Sequence, residues 1–228
     1  MGIKERKERE KLERRQKILE AAKKLFMLKG YRSTTLEDIA KEVELSPATI
    51  YLYFRSKEEL YVSLNLIGLQ SLAGRISGQY KKLSVEKKIL RLKDALYGAF
   101  RQDPLLFRVI FHTQLEDTLS SLDGVLLDEL NQLARKNLNL MADVFAEGMR
   151  QGKFSESNCM ALADILWATF TGLVLWEEAK RKINPQKDFL RPTLDKAFDI
   201  FLQGIRKKNG EKRKEQAPSR HLRGHKKG

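Results

Sequence analysis

Cysteine is nearly missing from this chain: Cys159 is the only one in 228 residues. No disulfide can close within the chain, which fits a reducing compartment. Proline (5) and glycine (14) are scarce, and strand-like alternation is almost absent. Both shortages favour helices. The three histidines are His112, His221 and His225, and they form no pair with a thiol or an acidic cluster. No metal site and no cofactor are expected from them. The chain also lacks a glycine-rich phosphate loop, a nucleophile elbow and an acidic dyad, so it is not expected to be an enzyme. The longest apolar run, "ALADILWATFTGLVLW" at 161–176, carries Asp164 and is short for a membrane span. The opening "MGIKERKERE" has no apolar core of the signal-peptide kind. These absences together lead to the expectation of a cytoplasmic protein with no membrane partner.

Charge is plentiful. Hydrophobic residues make up 42% and charged residues 32%, the balance of a globular chain. The net charge of +14 is gathered at the ends: residues 206–228 hold ten Lys/Arg against two Glu, and residues 1–17 hold eight against four. The two ends are therefore +8 and +4, and +2 is left for everything between. An excess of this sign suits a polyanion, and it equally suits two solvated tails. The segment Lys4 to Arg15 can lie along phosphates or reach a minor groove, or stand as a solvated helix held by its own ion pairs.

Punctuation divides the chain into about nine helices with no strands, an all-α protein. A first helix from Lys4 to Lys29 places Ile18, Ala21, Ala22, Leu25 and Phe26 on one stripe. Pairs Glu10–Arg14 and Glu13–Lys17 can support its polar beginning, and Gly30 ends it. Thr34 with Glu37 reads as a capping box for the second helix, "TTLEDIAKEV". Ser46 caps a very short third helix with Pro47 at its first position. Ser56 and Glu59 open a fourth, at 57–80. Further helices are expected at 84–101, 104–119, 123–151, 157–183 and 189–208. Residues beyond Lys208 have almost no apolar side chains and are expected to be disordered.

The short third helix is crowded with aromatic residues: "ELSPATIYLYF", Glu44 to Phe54. Ile50 and Phe54, at i and i+4, must face the two preceding helices. Ala48, Thr49 and Leu52 then face outward, with Tyr51 and Tyr53 on the flanks. A helix, a tight turn and a second helix with small residues at its exposed N-terminus is the layout that enters a DNA major groove.

The run "TTLEDIAKEVELSPATIYLYFRSKEEL", 34–60, with "RRQKILEAAKKLFMLKGY", 14–31, resembles the signature of the tetracycline-repressor (TetR) family of bacterial transcriptional regulators. The resemblance covers about 45 residues. It implies a homodimer that offers two recognition helices to a palindromic operator in double-stranded DNA. It implies phosphate contacts from Thr34 and Thr35, approach to the bases by Ser46, Pro47, Ala48 and Thr49, grip from Tyr51 and Tyr53, and a phosphate contact from Lys57. Leu52 stands where the family often has an aromatic residue, and Glu44 where it usually has glycine. With no Arg, Lys, Asn or Gln on the exposed face, bidentate readout of guanine or adenine is not expected. Apolar contact with thymine methyls, together with Thr49, Tyr51 and DNA shape, takes its place.

The expected organisation is a DNA-binding domain at 1–56 with a basic extension at 1–15, a regulatory and dimerisation domain at 57–208, and a basic tail at 209–228. The last two helices resemble the family's paired dimerisation helices, with Gly172, Leu175, Trp176, Phe198, Phe201, Leu202 and Ile205 as interface candidates or as plain core. A small-molecule effector, apolar in kind, is expected among the middle helices, near Phe107, Phe111, His112, Leu115, Phe145, Met149, Trp167 and Phe170. Three functions compete: a ligand-responsive repressor, an enzyme, and a non-specific nucleic-acid or membrane-surface binder driven by the basic ends.

Overall fold

Amphipathic repeats between clear stop signals give eight helices and no strand among the described residues. The computed structural model describes residues 2–78, 82–105, 107–108 and 123–207. The helices are α1 (Ile3–Lys29), α2 (Leu36–Glu42), α3 (Pro47–Tyr51), α4 (Lys57–Ile76), α5 (Val85–Gln102), α6 (Gly124–Arg150), α7 (Cys159–Ile183) and α8 (Leu190–Ile205). Most of the helix expected at 104–119 and the whole tail at 209–228 lie outside the described residues.

Two hydrophobic cores organise the chain. The first joins Ile18, Ala22, Leu25 and Phe26 of α1, Ile39 of α2, Ile50 of α3, Phe54, and Leu60 and Tyr61 at the start of α4. The second joins Leu69 and Leu72 of α4 with Leu92 and Leu96 of α5, Phe145 of α6, Phe170 of α7 and Phe198 of α8. Helix α4 thus belongs to both. A second joint is made by Asp103, Leu105 and Phe107. Leu105 enters the first core, Phe107 enters the second, and Asp103 pairs with Lys23 of α1 at 2.6 Å. Asn137 of α6 clamps α4 by donating its amide to the Leu69 carbonyl at 3.0 Å.

Local chemistry sets the helix ends. Gly30 closes α1 at φ 81°, ψ 162°, a positive-φ extended conformation essentially reserved for glycine. The left-handed helical conformation common at helix ends is not used there. The cap of α2 sits one residue later than Thr34–Glu37. The Thr35 hydroxyl accepts from Asp38 N at 3.1 Å, and the Asp38 carboxylate accepts from Thr35 N at 3.2 Å. This carboxyl is held below its usual range, chiefly by the Thr35 backbone N–H and then by Lys29. At α4, Ser56 accepts from Glu59 N at 3.1 Å, but the returning carboxylate binds Arg55 N at 2.6 Å instead of the cap residue.

Two further expectations differ from the structure. Along α1 the pairs formed are Arg6–Glu10 (2.8 Å) and Arg9–Glu13 (3.6 Å), so each glutamate is engaged from the N-terminal side. The apolar run at 161–176, read as short for a membrane span, is the middle of the longer helix expected at 157–183. Helix α7 has 25 residues and is long and apolar enough to cross a membrane on length and composition. Its stripe of Leu162, Ala163, Leu166, Phe170 and Val174 is instead spent in the second core.

Candidate nucleic-acid interface

The turn before α3 is built from backbone bonds. Glu44 N donates to Lys41 O at 3.2 Å and Leu45 N donates to Ala40 O at 2.9 Å, the double closure of a Schellman motif. That closure demands a left-handed residue, and Glu44 supplies it at φ 55°. Glycine would adopt this conformation without strain; for Glu it costs about 1 kcal/mol. The turn expected at this position is therefore present, and Glu44 tolerates it.

Ser46 then caps α3. Its Oγ accepts from Thr49 N at 3.2 Å and lies 2.8 Å from Thr49 Oγ1. Pro47 takes the first helical position, where a missing N–H costs nothing. The five-residue helix is too short to hold itself and is mounted on the first core by fully buried Ile50 and Phe54. Arg15 of α1 covers the Phe54 ring at 4.6 Å from its centroid. What remains outward is Ser46, Pro47, Ala48, Tyr51 (52% exposed) and Leu52 (79% exposed), with Thr49 and Tyr53 half-buried beside them. The face has no charge and few polar groups, as the sequence pattern anticipated.

The flanking contacts divide. Thr35 is exposed, and its hydroxyl hydrogen remains available to a phosphate while its oxygen caps α2. Thr34 is not available: it is 0% exposed and its hydroxyl donates to the Gly30 carbonyl at 2.8 Å. The expected phosphate contact from its side chain is withdrawn, because the chain turns Thr34 inward to satisfy the end of α1. Lys57 lies over the Tyr31 ring at 4.3 Å and donates to the carbonyls of Tyr31 and Thr34, both at 3.0 Å. Two of its three N–H groups brace the loop before α2, so one is left for a phosphate. Tyr31 in turn donates to Glu58 at 2.6 Å. Burial pushes the Glu58 carboxyl up, but the hydrogen bonds from Tyr31 and the helix start outweigh it and hold the group below its ordinary value. Sequence reasoning missed this Tyr31–Lys57–Glu58 brace; an aromatic residue spaced from a Lys-Glu pair in sequence carries no short-range signal.

In the body, Phe107 meets Phe100 (5.7 Å) and Phe170 (5.4 Å) edge to face and Trp167 at a tilt (6.1 Å), while Phe145 meets Phe201 at 5.7 Å. Met149 packs at the edge of the same core, with its sulfur 3.8 Å from Cys159. Of the eight effector-pocket candidates, Trp167 and Phe170 meet at Phe107, Phe145 and Met149 belong elsewhere to the same core, and Phe111, His112 and Leu115 lie outside the described residues. The interface candidates separate as well. Gly172, Leu175 and Trp176 are on the outside of α7, with Trp176 62% exposed. Phe198 and Leu202 are buried in the chain's own core, and Phe201 and Ile205 pack against it. The outward residues of α8 include Thr193, Lys196, Asp199 and Gln203, and toward its C-terminal end only Ile200 and Gly204 of the exposed residues lack a polar side chain. No group of three or more His, Cys, Asp or Glu that could hold a metal occurs among the described residues.

A helix-turn-helix DNA-binding protein with a helical C-terminal body is the class this fold and face define. Comparison with known proteins narrows it. The family model described as "Bacterial regulatory proteins, tetR family" matches residues 18–64, and that of the "QacR-like protein, C-terminal region" matches residues 114–207. The transcriptional regulator QacR of Staphylococcus aureus is 28% identical over 197 residues, covering 84% of this chain and 97% of that one. The uncharacterised regulator YvkB of Bacillus subtilis is 31% identical over 132 residues, 54% of this chain and 68% of its own length. The solved structure of FadR from Bacillus subtilis in complex with stearoyl-CoA is similar with a TM-score of 0.65 at 23% identity, over 83% of this chain and 98% of that one. The chain belongs to the TetR family of DNA-binding transcriptional regulators.

Proposed function

We propose that the chain is a homodimeric repressor that leaves a palindromic operator when a small apolar effector binds its body. The observation that carries this reading is α3. It is a capped, five-residue helix with its apolar side in the first core and an exposed face of Pro47, Ala48, Tyr51 and Leu52. Ser46, Thr49 and these residues form the base-reading surface, while Thr35, Tyr53 and the remaining N–H of Lys57 hold backbone phosphates. The DNA-binding unit ends near residue 56, with the first turn of α4 completing its core, and residues 57–208 form the regulatory and dimerisation unit.

The two-fold partner lies on α7 and α8. Ile165, Ala168, Gly172, Leu175, Trp176 and Ala179 recur at helical spacing and are all exposed. A Cβ added at Gly172 meets nothing within 4 Å in the single chain, so the glycine leaves room for a second backbone. Ile200 and Gly204 of α8 continue the same surface.

The effector lies among the Phe107, Trp167 and Phe170 rings and Phe145. An acyl chain suits the apolar character of these side chains, and the similar FadR was solved with stearoyl-CoA. Entry of the ligand moves α4 and the joint at Asp103, Leu105 and Phe107, which reach both cores, and so changes the spacing of the two recognition helices. A coupling of about 1–3 kcal/mol is enough. Sedimentation of the full chain, with titration of DNA from its own promoter in the absence and presence of long-chain acyl-CoA, tests the reading. A dimer whose DNA affinity falls at least about fivefold with ligand agrees with it. A monomer on DNA, or affinity without sequence preference, contradicts it and favours a non-specific binder.

A further inference from the structure

Residues 3–17 of α1 precede the segment matched by the family model, which begins at residue 18. They add roughly four helical turns ahead of it. Residues 2–14 are all exposed, so nothing in the chain's own core accounts for them.

Their charges are sorted by face. Lys4, Lys7, Lys11 and Arg14 recur at i, i+3, i+7 and i+10, one side of a helix. No acidic residue of α1 falls within that arc. Glu8 and Glu10 border the arc, and Glu10 and Glu13 are engaged from the far side by Arg6 and Arg9. Ion pairing within the helix thus serves one face only. The cationic row continues the repeat of Ile18, Ala21, Ala22 and Leu25, which are buried in the first core. The row therefore leaves the core on the side of α1 that faces the first core. Arg15, beside the row, lies over Phe54 and donates to Ser63 at 3.2 Å. Phe54 follows α3 closely, so the row departs from the side of α1 that carries the end of the recognition helix.

Four cations of one sign over about 15 Å suit a linear polyanion. A membrane surface is less suited, because Leu12 is the one apolar residue at 4–17 and an interfacial helix needs an apolar face.

We infer that Lys4, Lys7, Lys11 and Arg14 bind backbone phosphates of the DNA that flanks the bases read by α3. This rests on the DNA-binding reading above. The row supplies affinity without sequence preference and steepens the salt dependence, while α3 supplies the choice of site.

The test uses the full chain and two duplexes, one carrying a site enriched from random DNA with long flanks and one trimmed to that site. The variant K4Q/K7Q/K11Q/R14Q is compared with R6Q/R9Q, which removes charge from the opposite face. Helix content from circular dichroism verifies that both fold. On the long duplex the quadruple variant is expected to bind at least about tenfold more weakly near 50 mM salt, equally for the site and for unrelated DNA. Its plot of log affinity against log salt flattens by about 0.9 for each phosphate that is no longer neutralised. R6Q/R9Q leaves the slope nearly unchanged, and the trimmed duplex erases the difference. An unchanged slope in the quadruple variant overturns the inference while the DNA-binding reading stands, and so does a weakening that follows net charge regardless of face. No binding of any site by the unaltered chain overturns both.

Discussion

Glu44 holds a left-handed turn that a glycine would hold freely. Glu44→Gly is expected to raise stability by up to about 1 kcal/mol, which is roughly 2–4 °C in melting temperature for a chain of this size. A thermal melt checks it, and a fall would mean that the strain is absorbed elsewhere. Gly148 of α6 presents the opposite case. A Cβ there would fall within the Phe154 ring, and Phe154 is itself fixed by pairing of residues 153–155 with 205–207 after α8. Gly148→Ala should destabilise by about 1–3 kcal/mol through overpacking, read as a lowered denaturation midpoint. At this scale the sequence was legible where chemistry is local. Ser46, Pro47, Ile50 and Phe54 announce a capped helix and its buried side. It was illegible where one residue's register decides: Thr34 and Thr35 are chemically equal, and only the carbonyl of Gly30 makes one of them a buried donor.

Among the elements, α3 depends most on its cap. Ser46→Ala removes the acceptor of Thr49 N–H and should cost about 1 kcal/mol. Because α3 is short, the loss in DNA affinity should exceed the loss expected from global stability alone, as measured by titration well below the melting temperature. The α7–α8 corner rests on Glu177, buried on α7, which accepts from Phe189 N at 2.9 Å and from Lys180 at 2.5 Å. Burial pushes its carboxyl up, but the Lys180 and Phe189 hydrogen bonds prevail and hold it below its ordinary value of 4.5. The folded state thus favours the charged form. Its contribution is present above about pH 4.5 and is lost as pH falls through the lower folded value. Glu177→Gln should flatten that acid-limb loss, as followed by denaturant midpoints across pH. The helices themselves were readable because their stops are strong, as at Gly152 after α6 and Asn184-Pro185 after α7. The exposed side of α8 was not. Phe198 and Leu202 are the more apolar row, and hydrophobicity alone cannot tell a chain's own core from a partner's.

For the whole molecule, the proposed dimer makes assembly and DNA reading depend on each other. Gly172→Leu meets no clash within one chain and improves helix propensity by about 1 kcal/mol. It should nevertheless shift the sedimenting species from dimer to monomer and weaken operator binding together. The family was readable from residues 14–60, since capping, turn and aromatic crowding converge there on one layout. The effector was not, because an aromatic core and an aromatic pocket have the same composition. The most direct measurement is selection of random duplex DNA by the full chain at physiological salt. The account predicts a palindrome whose half-site centres lie about 34–36 Å apart, rich in thymine where α3 faces the major groove. No enrichment, or a half-site with two invariant guanines contacted by α3, would contradict it.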